Sequence, residues 1–226
     1  MTQEEALTIL KTGANVFLTG EPGSGKSHTI RAYADYLRSH GVEPAITAST
    51  GIASTHINGL TIHSWSGIGI KTNLTEQDLD RISSSEYISK RVRKAKVLII
   101  DEISMLSPDT LLMVDAVCKE VKQNHEPFGG LQVIFVGDFF QLPPITKKNF
   151  NEYNQDIFSE EGKGVFAFES GAWKRANPVV CYLSEQHRQE DKVFLELLSS
   201  IRKNVLKDTH RKILERRKVK SRRWKS

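Results

Sequence analysis

Short apolar runs alternate with longer amphipathic segments along most of the chain. Buried strands are predicted where the runs are apolar throughout, at residues 15–19, 45–49, 97–101 and 131–136. Helices are predicted between them, at 3–11, 26–40, 75–94 and 108–124, and a loop-rich stretch at 50–74. Because fully apolar strands that alternate with helices are covered on both faces, the pattern indicates an α/β fold with a mostly parallel, helix-covered sheet.

The pattern changes after Pro143 and Pro144. Residues 147–164 are polar and predict an exposed insertion. Beyond it we predict a short helix at 168–174, a strand at 179–183 and helices near 190–204 and 206–217. We therefore expect one domain over 1–178 and the beginning of a second domain over 179–226.

Composition excludes several classes of protein. The chain has 226 residues with 38% hydrophobic and 26% charged residues, as ordinary globular proteins do. No apolar run approaches the roughly 20 residues of a membrane helix, and the acidic N-terminus lacks the order of a secretory signal. Cys118 and Cys181 are far apart and predict buried thiols in a reducing compartment. We expect the cytoplasm, or the nucleus or mitochondrion of a eukaryote.

The net charge of +5 is unevenly distributed. Residues 202–226 contain twelve Lys/Arg and two acids, whereas residues 1–201 carry a net charge of −5. The basic end has two interpretations. One is an arm that binds DNA phosphates with a steep salt dependence. The other, which we favour, is a helix with Ile213, Leu214 and Val219 facing inward, separated from a missing domain.

A phosphate-binding motif follows the first predicted strand. The segment 20–27, GEPGSGKS, fits G-x-x-x-x-G-K-[ST] and lies between a strand and a helix, as that motif requires. Its nucleotide-binding candidates are Gly20, Gly23, Ser24, Gly25, Lys26 and Ser27. Backbone N–H groups of such a loop surround phosphates, Lys26 reaches the β- and γ-phosphates of ATP, and the Ser27 hydroxyl can bind Mg²⁺. The strand and helix on either side argue against a chance glycine-rich turn.

Two further segments follow strands. Asp101 and Glu102 end an apolar strand, where Asp101 suits the Mg²⁺ shell and Glu102 suits a general base. A solvated turn is the alternative, which the upstream loop disfavours. Gln141 lies in the segment GDFFQLPP and can hold the attacking water or sense the γ-phosphate. Spacing alone does not distinguish that role from a rigid turn.

The motifs together resemble the Pif-like helicases, relatives of RecD within superfamily one. TQEEAL resembles the adenine-reading glutamine motif through Gln3, and GEPGSGKS matches motif I. ASTGIAS and TIHSWSGIG match motifs Ia and Ib, and LIIDEISML matches motif II. PFGGLQVIFVGDFFQLPPI resembles the family signature, and LSEQHRQEDKVFLELLSSIR resembles the segment that reaches motif IV.

The resemblance implies a RecA-like P-loop NTPase domain that couples ATP hydrolysis to 5′→3′ translocation on single-stranded DNA and to unwinding of duplexes and junctions. Arg188 would then be the arginine finger; the alternative is a surface arginine. His28 would join Gln3 among the nucleotide-binding residues. DNA contacts would come from Thr50, Gly51, Thr61, His63 and Trp65. For Trp65, stacking on a base and packing in the core are equally weighted, because its spacing from Ile62 also suits a buried helix face.

The sequence departs from the family at its end. Related helicases continue into a second RecA-like domain with motifs V and VI, and nothing in 204–226 resembles these. We expect an N-terminal portion that binds nucleotide but unwinds weakly or not at all, unless a missing domain or a second chain completes the ATP site. The alternatives are a P-loop ATPase that does not translocate and a module whose DNA affinity is switched by ATP.

Overall fold

The computed structural model describes residues 1–57, 59–144, 165–184, 192–202 and 204–216. These fall into two compact units, Met1–Gln186 and His187–Ser226. The predicted insertion at 147–164 and Arg188 lie outside the described residues. Within the described ranges, no helix combines the length and apolarity needed to cross a bilayer.

The first unit contains six strands and eight α-helices among its described residues. The strands are β1 (Val16–Gly20), β2 (Ala45–Ala48), β3 (Leu60–Thr61), β4 (Val97–Asp101), β5 (Gln132–Val136) and β6 (Val179–Leu183). The helices are α1 (Gln3–Leu10), α2 (Lys26–Ser39), α3 (Gly51–His56), α4 (Ile62–Ser66), α5 (Glu76–Ser84), α6 (Glu86–Lys94), α7 (Pro108–Lys122) and α8 (Gly171–Ala176).

The strands form one parallel sheet in the order β3-β2-β4-β5-β1-β6. The predicted parallel, helix-covered sheet is therefore confirmed. The domain boundary differs from the prediction, because β6 pairs with β1 along its whole length, with Val16 opposite Val179 and Gly20 opposite Leu183. The strand at 179–183, assigned above to the second domain, completes the first sheet. A change of polarity after Pro144 does not reveal which sheet a later strand joins.

Apolar side chains fill both faces of the sheet because they alternate along its strands. On one face Leu18 and Ile99 pack against Tyr33 of α2 and Leu10 of α1. The other face is a larger core beneath α4–α8, made of residues such as Phe17, Leu98, Leu111, Phe128 and Phe135. The central strands are thus fixed from both sides, and the ends of β1, β4 and β5 form a stable platform.

The segment 50–74, which the pattern predicted to be loop-rich, contains two short helices, α3 and α4. Thr50 and Thr61 each precede a short helix and accept a hydrogen bond from the N–H three residues on, Ala53 N–H at 3.2 Å and Ser64 N–H at 3.1 Å. These N-caps begin α3 and α4. Both helices have six residues or fewer, too short for their apolar spacing to stand out.

A buried carboxylate fixes the turn that leads into β5. Asp115 of α7 is almost fully buried and accepts hydrogen bonds from Phe128 N–H at 2.7 Å and from Lys119 Nζ at 2.8 Å. Arg175 of α8 is a third partner, at 3.2 Å. Phe128 has a φ of +51° and is itself fully buried. The signature segment PFGG is therefore anchored to two helices.

The second unit contains two helices in the part that the structure describes, α9 (Lys192–Arg202) and α10 (Asp208–Arg216), which confirms the predicted helices there. Val205 N–H donates to Ser200 O at 2.9 Å in the connection. His210 is buried, and its Nε2 lies 3.7 Å from Glu196 Oε1. Residues 217–226, which hold six of the twelve Lys/Arg of the basic end, lie outside the described residues, so its two interpretations remain predictions.

Candidate functional site

Three loops of candidate residues meet at the carboxyl edge of the sheet. The glycine-rich loop follows β1, the acidic pair ends β4, and the segment with Gln141 follows β5, which lies between β1 and β4. The carboxyl ends of parallel strands are where open α/β sheets bind ligands. The topology therefore gathers candidates that are far apart in sequence.

Close approaches explain the glycines of the loop. A Cβ atom at Gly20 would lie 2.6 Å from both Leu183 O and Ser24 Oγ. Gly25 has a φ of +92° and precedes α2 directly, and a Cβ there would collide with the Gln3 side chain. Only glycine permits this left-handed conformation and this contact without strain. The loop thus turns tightly into the N-terminus of α2, whose N–H groups favour anions.

Lys26 and Ser24 mark the interior of this loop. Lys26 Nζ donates to Gly20 O at 2.8 Å and to Glu21 O at 3.3 Å, so two backbone carbonyls of the loop hold its ammonium. The Ser24 hydroxyl is buried and has no hydrogen-bond partner in the described structure. A buried hydroxyl without a partner is costly, and a ligand oxygen would satisfy it. Both side chains fit a phosphate group in the loop.

Gln3 lies beside the loop, as the resemblance implied. A capping box at Thr2 and Glu5 fixes the start of α1. The Gln3 Oε1 atom lies 2.8 Å from His28 Nδ1, and the Gln3 amide contacts Gly25. Gln3 and His28 are therefore brought together at the first turn of α2, next to the phosphate-binding segment.

The acidic pair has an unusual local geometry. Burial, assisted by the charge of Glu102, raises the pKa of Asp101 to about 6, while the Glu102 N–H and the Lys26 ammonium lower it. Glu102 N–H donates to Asp101 Oδ1 at 2.9 Å, and Glu102 has a φ of +54°. Non-glycine residues in this conformation are strained and concentrate at functional sites. Asp101 and Ser27 both border a cavity of about 590 Å³, most of whose lining lies further along α2, as at Arg38, and on β2.

Gln141 is exposed and is held by its own segment. Its Nε2 donates to Asp138 Oδ2 at 3.2 Å, and its N–H donates to Asp138 O at 2.9 Å. Asp138 is 1% exposed. Phe139, between them, packs against Phe17 and Trp173 at ring distances of 5.3 and 5.9 Å. The segment is therefore anchored by an aromatic cluster while Gln141 points outward at the carboxyl edge.

The candidate DNA contacts lie on α3 and α4. The Thr50 and Thr61 hydroxyls cap these helices, and Gly51 is exposed. His63 is half-buried, and this burial lowers its pKa below the ordinary value. Trp65 is 4% exposed and belongs to the larger core. Of its two interpretations, core packing is correct, since a side chain so buried cannot stack on a base.

The sequence analysis missed three residues that contribute to the site. Asp138 accepts a hydrogen bond from Gln141, and it lies three residues before Gln141 in the same GDFFQ segment. Ser49 donates its N–H to Asp101 O at 3.1 Å, and its buried hydroxyl has no partner in the described structure. Arg91 of α6 donates from Nε to Trp65 O at 2.7 Å, a contact that no local spacing indicates.

Comparison with known proteins identifies the family. The PIF1-like helicase family model matches residues 3–212. The ATP-dependent DNA helicase Pif1 of Psychrobacter sp. (strain PRwf-1) is 54% identical over 190 residues, which are 84% of this chain and 27% of that protein. The ATP-dependent DNA helicase RRM3 of Saccharomyces cerevisiae is 40% identical over 205 residues, 89% of this chain and 27% of that protein.

Solved structures show the same fold. The crystal structure of Pif1 helicase from Candida albicans gives a TM-score of 0.82 at 34% identity, over 95% of this chain and 46% of that one. Pif1 from Bacteroides in complex with ADP-AlF3 and single-stranded DNA also gives 0.82 at 34% identity, over 98% of this chain and 51% of that one. The chain thus spans about a quarter of these curated relatives and about half of these solved chains. With the glycine-rich loop, the acidic pair and the signature segment at one edge of the sheet, this chain belongs to the PIF1-like helicase family.

Proposed function

We propose that this chain is the ATP-binding portion of a DNA helicase, which couples ATP hydrolysis to 5′→3′ movement along single-stranded DNA and to strand separation. One observation carries the proposal. A glycine-dependent loop at the carboxyl edge of the sheet holds Lys26 and a buried, unpartnered Ser24 hydroxyl, and it leads into Ser27 in the first turn of α2.

The residues at this edge fit ATP and Mg²⁺. Backbone N–H groups of the loop and Lys26 would hold the phosphates, and Gln3 with His28 would contact the base. Ser27 and Asp101 would supply the oxygen ligands that Mg²⁺ prefers. When bound, Mg²⁺ neutralises charge on the phosphates. Glu102 would orient the attacking water and take its proton, while Gln141 would contact the γ-phosphate.

We also propose that an arginine finger and a second domain complete the ATP site. Arg188 would stabilise the charge that develops on the transferred phosphate, an effect worth roughly 10³–10⁵ in rate in comparable enzymes. In such motors ATP lies between two domains, so a second RecA-like domain, in the same chain or another, would complete the site.

We propose DNA as the partner because this chain is similar to proteins named as DNA helicases. The named relatives are DNA helicases, and Bacteroides Pif1 has been solved bound to single-stranded DNA. In this chain Thr50, Gly51, Thr61 and His63 would contact the strand. Hydroxyls and backbone amides hold phosphates without reading sequence, as a translocating motor requires.

DNA-stimulated turnover tests this proposal. Where a second RecA-like domain completes the site, we expect Mg²⁺-dependent ATP hydrolysis to rise on addition of single-stranded DNA, and this rise to be lost in Glu102→Gln and Arg188→Ala. A P-loop ATPase that does not translocate would hydrolyse ATP at the same rate with and without DNA. A module switched by ATP would bind DNA with ATP-dependent affinity but would show no turnover above that of Glu102→Gln.

A further inference from the structure

We propose that the exposed face of α6 is an additional binding surface for single-stranded DNA, formed by Tyr87, Lys90 and Lys94. The inference rests on the proposed function, because it assigns a further contact to the DNA that the motor moves. The three residues are spaced i, i+3 and i+7, which places them on one face of the helix. All three are exposed, Tyr87 at 73%.

Charge complementarity points to a polyanion as the partner. α6 contains four Lys/Arg and one acid, Glu86, although residues 1–201 as a whole have a net charge of −5. The preceding helix α5 carries acids instead, at Glu76, Asp78 and Asp80. Positive charge is therefore concentrated on α6 within an otherwise acidic unit. Lysines so placed neutralise phosphates and release counterions on binding.

Tyr87 adds a stacking platform to the lysines. The Arg91 guanidinium lies 4.8 Å from the centroid of the Tyr87 ring and supports one of its sides. With 73% of the residue exposed, most of the rest of the ring is open to solvent. An exposed aromatic ring beside cations suits single-stranded nucleic acid, because every base has a face that can stack. A face that only improved solubility would not need an aromatic ring.

The α6 surface is joined directly to α4, which carries His63. Arg91 donates to the last carbonyls of α4, from Nε to Trp65 O at 2.7 Å and from the other end of the guanidinium to Ser64 O. Gly67, which ends α4, packs so closely that a Cβ there would lie 2.5 Å from Ile88 Cδ1. A strand bound at His63 therefore meets a basic, aromatic surface that is held in a fixed position beside it.

DNA binding as a function of salt tests the surface. We would measure the anisotropy of a fluorescent oligothymidylate with the full chain at several KCl concentrations. We expect Tyr87→Ala to weaken binding roughly tenfold, because one stacked base is lost, and Tyr87→Phe to bind like wild type. Lys90→Ala/Lys94→Ala should reduce the slope of log K against log salt by roughly 1.4, the value for two phosphates of a single strand.

Lys11→Ala/Lys174→Ala is the matched control, since it removes two exposed lysines elsewhere in the first unit. We expect the salt slope of this variant to remain that of wild type. If wild type binds DNA and the α6 variants bind like the control, the proposed surface is wrong while the proposed function stands. If folded wild type does not bind DNA at all, both are overturned. Thermal melting of each variant verifies that it is folded.

Discussion

Asp101 shows a conflict between stability and function at the scale of one residue. Its carboxylate is largely buried, and this raises its pKa to about 6, whereas the ordinary value is 3.8. The folded chain therefore binds the proton more tightly than the unfolded chain. Stability from this group is present at low pH and is lost as pH rises through about 6. The proposed Mg²⁺ ion, when bound to Asp101, would offset this cost.

The substitution Asp101→Asn should consequently stabilise the nucleotide-free chain. At pH 7.5, with a chelator present, we expect the free energy of unfolding to rise by about 1–2 kcal/mol, because the amide has no charge to bury. Near pH 4 the gain should vanish. Urea unfolding at both pH values measures it, with the exposed Asp80→Asn as the control. An equal change at both pH values would show that ionisation of Asp101 is not the cause.

The sequence predicts single residues well where a motif fixes backbone geometry. GEPGSGKS predicted where Lys26, Ser27 and the glycines lie, because the spacing itself dictates the loop; their roles in nucleotide binding stay predictions. Asp138 was missed because its role depends on burial beneath the aromatic cluster, which spacing does not reveal. Ser49 was missed because its contact with Asp101 depends on strand pairing: β2 and β4 are neighbours in the sheet, which the local sequence does not reveal.

Short helices are where prediction failed at the scale of elements. The long helices α2 and α7 were predicted almost to the residue, because several turns of apolar spacing accumulate. The two helices α3 and α4 depend on the threonine caps and on packing against the sheet. β6 was predicted as a strand, but only its pairing with β1 shows that it belongs to the first sheet.

Helix α4 carries a structural residue, Trp65, and a proposed DNA contact, His63, two positions apart. We expect Trp65→Ala to cost about 3–5 kcal/mol of stability, because it leaves a large cavity in the core. His63→Ala should cost less than about 1 kcal/mol but weaken binding of single-stranded DNA, since the half-buried ring lies at the proposed contact. Chemical unfolding and DNA anisotropy on both variants distinguish these roles. A stable Trp65→Ala chain with reduced DNA affinity would restore the stacking interpretation.

For the molecule as a whole, the parallel sheet explains why motifs that are far apart in sequence predict one site. Its order places β5 between β4 and β1, so the loops after these three strands converge on one edge. The Coulombic effect of Lys26 on Asp101 shows that the first two motifs are close enough to interact. The contribution of the second unit is not reached in this way: Arg188 lies outside the described residues, and its role as arginine finger stays a prediction.

We propose above all that the carboxyl edge of the sheet binds Mg²⁺ and ATP within this chain. Calorimetric titration of the purified 226-residue chain with a non-hydrolysable ATP analogue and Mg²⁺ tests it most directly. We predict binding by wild type, retention in Glu102→Gln, which keeps the phosphate loop, and a loss of at least tenfold in affinity in Lys26→Ala. If folded wild type binds no nucleotide, or if Lys26→Ala binds it as well as wild type does, the carboxyl edge is not the proposed ATP site.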